Sequence, residues 1–254
     1  MRNSRVSSRL DTTPIRLGLF AGIIALAWAL TSFPAAGSAD SAVASPNPGA
    51  GPAAYTGDLT FDILRNGDKV GTHTVTFERK GDRTVARAET DIAIRILFFT
   101  AFRFTYESES EWEGNRMMSL KARTDDDGDV TFAEARREGD LLKVRGSRGV
   151  YTVDGNVFPT DHWHAGVIGS TQVLNTITGG LNDVSMQEKG RKRLDLPGGT
   201  VTARHFAYSG QLETEVWYDE KDRWIRMRFG ARDGSVIEYV CRSCLAGSSL
   251  SRKK

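Results

Sequence analysis

The residues best suited to chemistry lie between Pro159 and Gly180, where a carboxylate, Asp161, is followed by two imidazoles, His162 and His164. A His-x-His pair on an extended strand directs both rings to one face, where two imidazoles can bind zinc or another transition metal. A third ligand could come from His205 or His73. This arrangement would support a metal-assisted or acid–base hydrolase that uses His162, His164 and His205.

A structural interpretation of the same residues is favoured. His205 alternates with the small apolar residues Val201 and Ala203, a pattern that indicates a half-buried ring on a strand face. His162 is then a buried hydrogen-bonding residue, and Trp163 is an aromatic anchor that pins the segment to a sheet. We therefore predict no catalytic residue, no bound metal and no cofactor.

The acidic run from Asp125 to Asp129, with Glu134 downstream, has the spacing of part of a calcium loop. The first ligand position would fall on Arg123, however, and no helical pattern flanks the run. A hairpin turn rich in Asp and Gly explains the same residues, so we predict a turn there.

Apolar residues are concentrated from Ile92 to Phe104. The isoleucines at 92, 94 and 96 point one way, but the run 97–99 breaks the alternation and places apolar groups on both faces. Because a core needs only one apolar face, the other face contacts either a covering segment or a ligand. The ligand-binding face predicted on this basis consists of Ile94, Ile96, Phe98, Phe102, Phe104, Tyr106, Trp163 and Leu174.

Strands are predicted along most of the chain after Tyr55, because apolar and polar residues alternate in segments separated by turns. The clearest segment, Phe102 to Glu113, has aromatic and small residues on one face and glutamates on the other. Asn66-Gly67 is a strong hairpin signal. No segment has the length of a crossover helix, so we predict an all-β fold: a strongly curved antiparallel sheet or incomplete barrel of about a dozen strands.

One short helical lid is predicted across the mouth or the concave face of this sheet. Ser170 or Thr171 could cap the helix, and Gly179 could end it. The apolar side of that helix would consist of Val167, Leu174 and Ile177.

The N-terminal segment is typical of a secretory signal peptide, because four arginines precede an apolar run, Leu17 to Leu30, and small residues ending in Ala42-Val43-Ala44 follow. The run is shorter than the ~20 residues of a spanning helix, which disfavours an uncleaved anchor. We predict a signal peptide at 1–44, with a cut after Ala39 as the alternative, then a flexible leader at 45–54, one β domain at 55–241 and a flexible tail at 242–254. The processed protein would be periplasmic or secreted and not an integral membrane protein.

The net charge limits the classes of binding partner, and the cysteine content indicates a disulfide. The signal peptide holds four of the 34 basic residues and two of the 32 acidic residues, so the processed chain is formally neutral and nucleic acid is not an expected partner. The two cysteines, Cys241 and Cys244, are predicted to form a small disulfide in an oxidising compartment. A redox Cys-x-x-Cys site would need a helix N-terminus, which the pattern does not provide.

Four ordered motifs carry a resemblance to a known family: Thr-Asp-His-Trp-His at 160–164, Gln-Val-Leu-Asn-Thr-Ile-Thr-Gly at 172–179, Glu-Val-Trp-Tyr-Asp at 215–219 and Arg-Trp-Ile at 223–225. From about Tyr55 to Val240 the chain resembles an uncharacterised family of exported bacterial β-rich proteins with a domain of unknown function, in which asparagine is common at the position of His164. The resemblance implies an architecture similar to that of periplasmic lipoprotein carriers, whose open curved barrel closes over acyl chains with a helical lid. It implies no activity.

These observations favour an exported, non-enzymatic protein that binds or carries a hydrophobic or lipidic ligand on the concave face of the sheet. The first alternative is the hydrolase described above. The second is an envelope scaffold that has a partner protein and no pocket.

Overall fold

The computed structural model describes residues 51–96, 99–197 and 199–245. The predicted signal peptide and most of the leader and tail lie outside these residues, as do Phe98 and the side chain of Ile96. None of the helices in the described part of the chain is long and apolar enough to cross a membrane.

The described residues form a single sheet of fifteen strands, with the order β8-β7-β6-β5-β4-β3-β2-β1-β15-β14-β13-β12-β11-β10-β9. The strands are β1 (Leu59–Arg65), β2 (Asp68–Lys80), β3 (Arg83–Ile96), β4 (Phe99–Glu113), β5 (Arg116–Asp126), β6 (Asp129–Glu138), β7 (Leu141–Gly146), β8 (Gly149–Asp154), β9 (Phe158–Pro159), β10 (Gln172–Leu174), β11 (Leu181–Leu196), β12 (Gly199–Gly210), β13 (Thr214–Asp219), β14 (Trp224–Gly230) and β15 (Val236–Ser243). All neighbours pair antiparallel except β9 and β10.

Strand β4 shows why the chain forms such a sheet. Its alternate residues from Phe102 to Trp112 are buried, whereas the residues between them face solvent or are partly exposed. On the outer face, Arg87 of β3 binds Glu109 of β4 at 2.9 Å, and other cross-strand ion pairs follow the same pattern. One face therefore packs into the core and the other is solvated, as the alternation predicted.

The sheet is curved and unclosed. β-bulges interrupt the pairing of β4 with β3 and with β5, and also the pairing of β11 with β12, and bulges bend a strand and increase its twist. Beyond β10, the Thr178 carbonyl accepts a hydrogen bond from the Arg148 amide at 3.1 Å, and the Tyr151 hydroxyl of β8 donates to the Gly179 carbonyl at 2.8 Å. The two ends of the sheet thus meet through a loop, which confirms the predicted incomplete barrel.

The predicted helix across 170–178 is wrong, although a covering segment is present. The segment consists of a 3-10 turn at Ala165–Val167, the short strand β10 and a turn closed by the Gly179 amide on the Asn175 carbonyl at 2.8 Å. Its many β-branched residues disfavour helix, and several of them, including Val167, Ile168 and Val173, are buried. We call residues 157–180 the cover.

The number of strands differs from the expectation, whereas the predicted turn in the acidic run and the predicted disulfide are both present. Fifteen strands replace about a dozen, because β9 and β10 are too short to produce a periodic signal. The acidic run forms the β5–β6 hairpin turn, with Asp127 and Gly128 both at positive φ. Cys241 and Cys244 form a disulfide at the end of β15.

Candidate ligand cavity

The cover is anchored to the sheet by Trp163. Its indole makes edge contacts with the rings of Trp112 and Phe77, at centroid distances of 5.3 and 5.2 Å. The Tyr55 hydroxyl donates to the Trp163 carbonyl at 2.6 Å and accepts from the Trp224 amide at 3.0 Å. Trp163 is fully buried, so it holds the cover in place, as the sequence predicted.

Between the cover and the concave face lies a cavity of about 590 Å³. This volume falls within the range of about 300–1,000 Å³ that is typical of small-molecule sites. Strands from both halves of the sheet contribute, since β2, β3 and β4 face β14 and β15 across it. The lining consists of His73, Thr90, Ile92, Phe104, Tyr106, Asp126, Asp129, Thr131, Thr160, Asp161, His162, Asn175, Thr176, Ile177, Thr178, Leu212, Glu213, Thr214, Trp224, Met227, Phe229, Gly230, Arg232, Ile237 and Tyr239.

The lining changes in character from the mouth to the deep end. Exposed charged residues, among them Asp129, Glu213 and Arg232, mark the mouth. Apolar side chains form the walls, including those of Ile92, Phe104, Met227, Phe229 and Ile237. Buried polar side chains lie at the deep end, among them His73, Thr90, Tyr106, Asp161 and His162.

Sheet register brings three of the deep polar residues into one row. His73 of β2 is paired with Thr90 of β3, which is paired with Tyr106 of β4. Cross-strand neighbours lie about 5 Å apart on the same face. The row is therefore a direct consequence of hairpin pairing.

Asp161 lies on the cover above this row. Its carboxylate accepts a short hydrogen bond from the Tyr106 hydroxyl and a longer one, 3.4 Å, from Ser108. Burial raises the pKa of Asp161 to about 6, although the hydrogen bonds from Tyr106 and Ser108 pull it down. Burial and the neighbouring carboxylate raise the pKa of Tyr106 well above its usual value.

His162 adopts a positive φ of 61°, a conformation that non-glycine residues seldom adopt and that often marks a functional site. Its backbone carbonyl accepts a hydrogen bond from the Tyr218 hydroxyl at 2.8 Å. The ring is directed into the cavity, where burial lowers its pKa to about 4. The hydrogen-bonding role predicted for His162 thus belongs to its backbone, whereas its ring Nδ1 has no partner.

His73 faces His162 in the same cavity. Its Nδ1 lies 2.8 Å from the Thr90 hydroxyl, which also hydrogen-bonds Tyr239, and its Nε2 has no partner. Burial, followed by the proximity of His162, lowers the pKa of His73 to about 3. Both imidazoles are therefore neutral at neutral pH.

The three histidines of the hydrolase hypothesis do not converge. His164 accepts a hydrogen bond from the Gly166 amide at 3.0 Å and stacks on Trp112, away from the cavity. His205 stacks on Trp217 at 4.3 Å and pairs with Glu215 at 2.7 Å. Within the described residues, no group of three His, Cys, Asp or Glu side chains could hold a metal ion.

The predicted ligand-binding residues divide into three groups. Phe104 and Tyr106 line the cavity. Trp163 and Leu174 are fully buried in the core, and Ile94 and Phe102 pack with the core outside the cavity lining. Phe98 and the side chain of Ile96 lie outside the described residues.

The sequence suggests His73 only as a possible third metal ligand, and it does not assign Trp224, Met227, Ile237 or Tyr239 to a ligand site. The alternation in β2, β14 and β15 identifies these residues as inward-facing. It does not show that β15 pairs with β1, and only that pairing brings them beside His73. The alternation within each strand therefore indicates which residues face inward. It does not indicate which strands are neighbours in the sheet.

Fold and site together define a β-barrel-like protein with a mostly apolar cavity under a non-helical cover. A model of the domain of unknown function DUF6134 matches residues 61–242, so the chain belongs to that family. The chain is also similar to a solved β-barrel-like protein of the domain of unknown function DUF1849 from Brucella abortus, with 10% sequence identity and a TM-score of 0.48. That similarity covers 72% of this chain and 94% of the other. No curated protein matches the chain.

Proposed function

We propose that this protein binds a hydrophobic or lipidic ligand in the cavity beneath the cover, and that it does so outside the cytoplasm without catalysing a reaction. The observation that supports this proposal is the cavity itself. Its walls are formed by side chains such as Phe104, Met227 and Ile237, and burial of apolar ligand surface contributes roughly 25 cal/mol per Å². The signal-peptide pattern at 1–44 supports export.

The carrier hypothesis also accounts for the way the cover is held. Trp163 fixes its start, β10 pairs with β11 in its middle, and its end is held by the carbonyls of Thr178 and Gly179, which accept hydrogen bonds from β8 and the preceding loop. Such a segment could release its end while it stays anchored at Trp163. The similarity to the periplasmic lipoprotein carriers is a prediction by analogy of fold, drawn from the family resemblance.

The direct test is native mass spectrometry with lipid extraction on protein purified from the bacterial envelope. We expect a bound apolar mass in the wild-type protein. In Met227→Trp the larger side chain should occupy the cavity and reduce the bound fraction severalfold. The matched control is Val150→Trp, because Val150 is 78% exposed on β8 and does not line the cavity.

Circular dichroism and thermal unfolding would establish that both variants keep the fold. A wild-type protein that neither retains nor binds any apolar molecule would overturn the proposal. Equal ligand loss in Met227→Trp and Val150→Trp would also contradict it, since only the first substitution changes the cavity.

A further inference from the structure

Two ring nitrogens at the deep end of the cavity have no hydrogen-bond partner. They are Nε2 of His73 and Nδ1 of His162, on residues that are 4% and 5% exposed. Both rings pack near the Trp224 indole, at centroid distances of 5.5 Å for His73 and 6.2 Å for His162. The two unpartnered nitrogens therefore belong to one small region of the lining.

Leaving a buried polar atom without a partner costs about 1–3 kcal/mol, so native structures rarely contain such atoms without a reason. The walls that lead to these nitrogens are apolar, formed by residues such as Ile92 and Ile237. A ligand with an apolar body and a polar head would satisfy both parts of the lining when its head lies at the deep end.

The charged residues along the lining restrict the charge that the polar head of the ligand can carry. Among the described lining residues, the one cationic side chain is Arg232, which is exposed at the mouth and interacts with Asp126. The deep end of the lining also includes Asp161, an acidic group. An anionic head would therefore lie near a carboxyl group with no cation to compensate it.

We propose that the ligand is a single-chain or isoprenoid alcohol that enters head first, with its hydroxyl bound between His73 Nε2 and His162 Nδ1. This inference rests on the proposed function and names the ligand class of the same cavity.

A hydroxyl matches the two histidines because it donates one hydrogen bond and accepts another. A neutral imidazole has one donor and one acceptor nitrogen, and its tautomer can adjust. His73 can offer either role at Nε2, since the Thr90 hydroxyl can donate to Nδ1 or accept from it. The pair can therefore offer one acceptor for the O–H and one N–H for the oxygen.

The size of the cavity suits a small ligand. Its volume of about 590 Å³ lies within the range of about 300–1,000 Å³ that is typical of sites for drug-sized molecules. A single-chain or isoprenoid alcohol is a ligand of that size.

The first test compares probes that share one tail. Dissociation constants of 1-dodecanol, dodecanoate, dodecylamine and n-dodecane, delivered in cyclodextrin at pH 7.5, would be measured by calorimetry on the 45–254 chain. We expect dodecanol to bind about tenfold more tightly than dodecanoate, which corresponds to one well-formed hydrogen bond. Equal or tighter binding of dodecanoate or dodecylamine would overturn the headgroup inference and leave the carrier function intact. Failure of all four probes would instead overturn the proposed function.

The second test removes the imidazoles. In His73→Phe, dodecanol binding should weaken about five- to tenfold while n-dodecane binding stays unchanged. His162→Gly is the second variant, because glycine tolerates the positive φ at that position. The control is His205→Phe, which changes a histidine outside the cavity. Equal weakening for dodecanol and n-dodecane in the two cavity variants would show that the rings only shape the cavity, and would overturn the inference.

Discussion

At the scale of single residues, the cavity is unusual because it buries one carboxyl group and two neutral imidazoles in an apolar surrounding. Asp161 is protonated more readily than in solution, with a pKa of about 6, whereas His73 and His162 are protonated less readily. Burial acts in opposite directions on acids and bases, because it disfavours the charged form of each. The two kinds of group therefore make stability depend on pH with opposite signs.

Tyr106→Phe tests the carboxyl group. The folded-state pKa of Asp161 lies above its ordinary value of 3.8, so its contribution to stability is complete below about pH 4 and is lost as pH rises through about 6. The Tyr106 hydroxyl opposes this shift by donating to the carboxylate. Its removal should lower the free energy of unfolding by about 1–3 kcal/mol more at pH 8 than at pH 4, measured by urea unfolding.

Tyr151→Phe is the control for that experiment. It removes a hydroxyl that donates to the uncharged Gly179 carbonyl, so its effect on unfolding should be the same at both pH values. A Tyr106→Phe variant whose loss is also independent of pH would show that Asp161 does not titrate in this range.

His164→Asn tests the histidines outside the cavity. Burial lowers the pKa of His164 to about 3, so its contribution to stability is present above its unfolded value of about 6.5 and is lost as pH falls below it. Asparagine can accept the Gly166 amide hydrogen bond but does not titrate. Between pH 7.5 and 4.5 the variant should lose up to about 2–3 kcal/mol less free energy of unfolding than the wild type, which is two pH units at 1.36 kcal/mol each.

The comparison variant is His205→Asn, whose ring is close to Glu215, an acidic group that offsets part of the desolvation. It should change the pH dependence much less. Identical acid sensitivity of His164→Asn and the wild type would contradict the prediction.

At the scale of elements, the end of the cover packs closely against β7 through two glycines, Gly179 and Gly146. A Cβ added to Gly179 would lie 2.7 Å from the Cα of Gly146, at the end of β7. Gly179 also has a positive φ of 70°. The end of the cover therefore depends on glycine for both its conformation and its fit.

Gly179→Ala should displace the end of the cover. We expect a loss of about 2–4 kcal/mol in the free energy of unfolding, together with faster proteolysis near residue 178, because backbone strain adds to the clash. Gly155→Ala is the matched control: its φ is 77°, and nothing lies within 4 Å of the added Cβ. That control should lose only the 1–2 kcal/mol of strain. Equal losses in the two variants would mean that the contact with Gly146 does not hold the cover.

The elements also show how far the sequence could predict this structure. Alternation predicted β4 and placed Phe104 and Tyr106 inside, because each strand carries its own burial pattern. The helix predicted on Val167, Leu174 and Ile177 failed, because their spacing suits a helix face while the intervening backbone makes turns and a short strand. Spacing alone does not distinguish these cases when a segment packs against a sheet.

At the scale of the whole molecule, neighbouring strands are consecutive in sequence except for one pair, β1 and β15, which is distant in sequence. The strands β1 to β8 and β9 to β15 form two runs of neighbours, and the pairing of β1 with β15 joins them in the middle of the sheet. Thr60 is paired with Ser243, so the two ends of the described chain lie side by side. No local pattern encodes this pairing, which is why the half of the cavity formed by β14 and β15 was not predicted.

A circular permutant tests this arrangement. New termini between Gly155 and Asn156, with a short linker from residue 245 to residue 55, leave every strand pair intact. We expect the permutant to keep its strand content by circular dichroism and to unfold within about 2 kcal/mol of the parent chain. The reference is a chain that ends at residue 230 and so lacks β15, which should not fold. A permutant that also fails to fold would show that the β8–β9 connection is needed for assembly.

The pairing of the first strand with the last also determines when folding can finish. During synthesis, one edge of β1 has no partner until β15 has been made, so every strand from β1 to β15 must exist before the centre of the sheet can close. A chain interrupted before β15 cannot form the β1–β15 pair at the centre of the sheet. If the protein is exported as proposed, this late pairing would keep the polypeptide unfolded while it crosses the membrane. The curved sheet would then form after translocation.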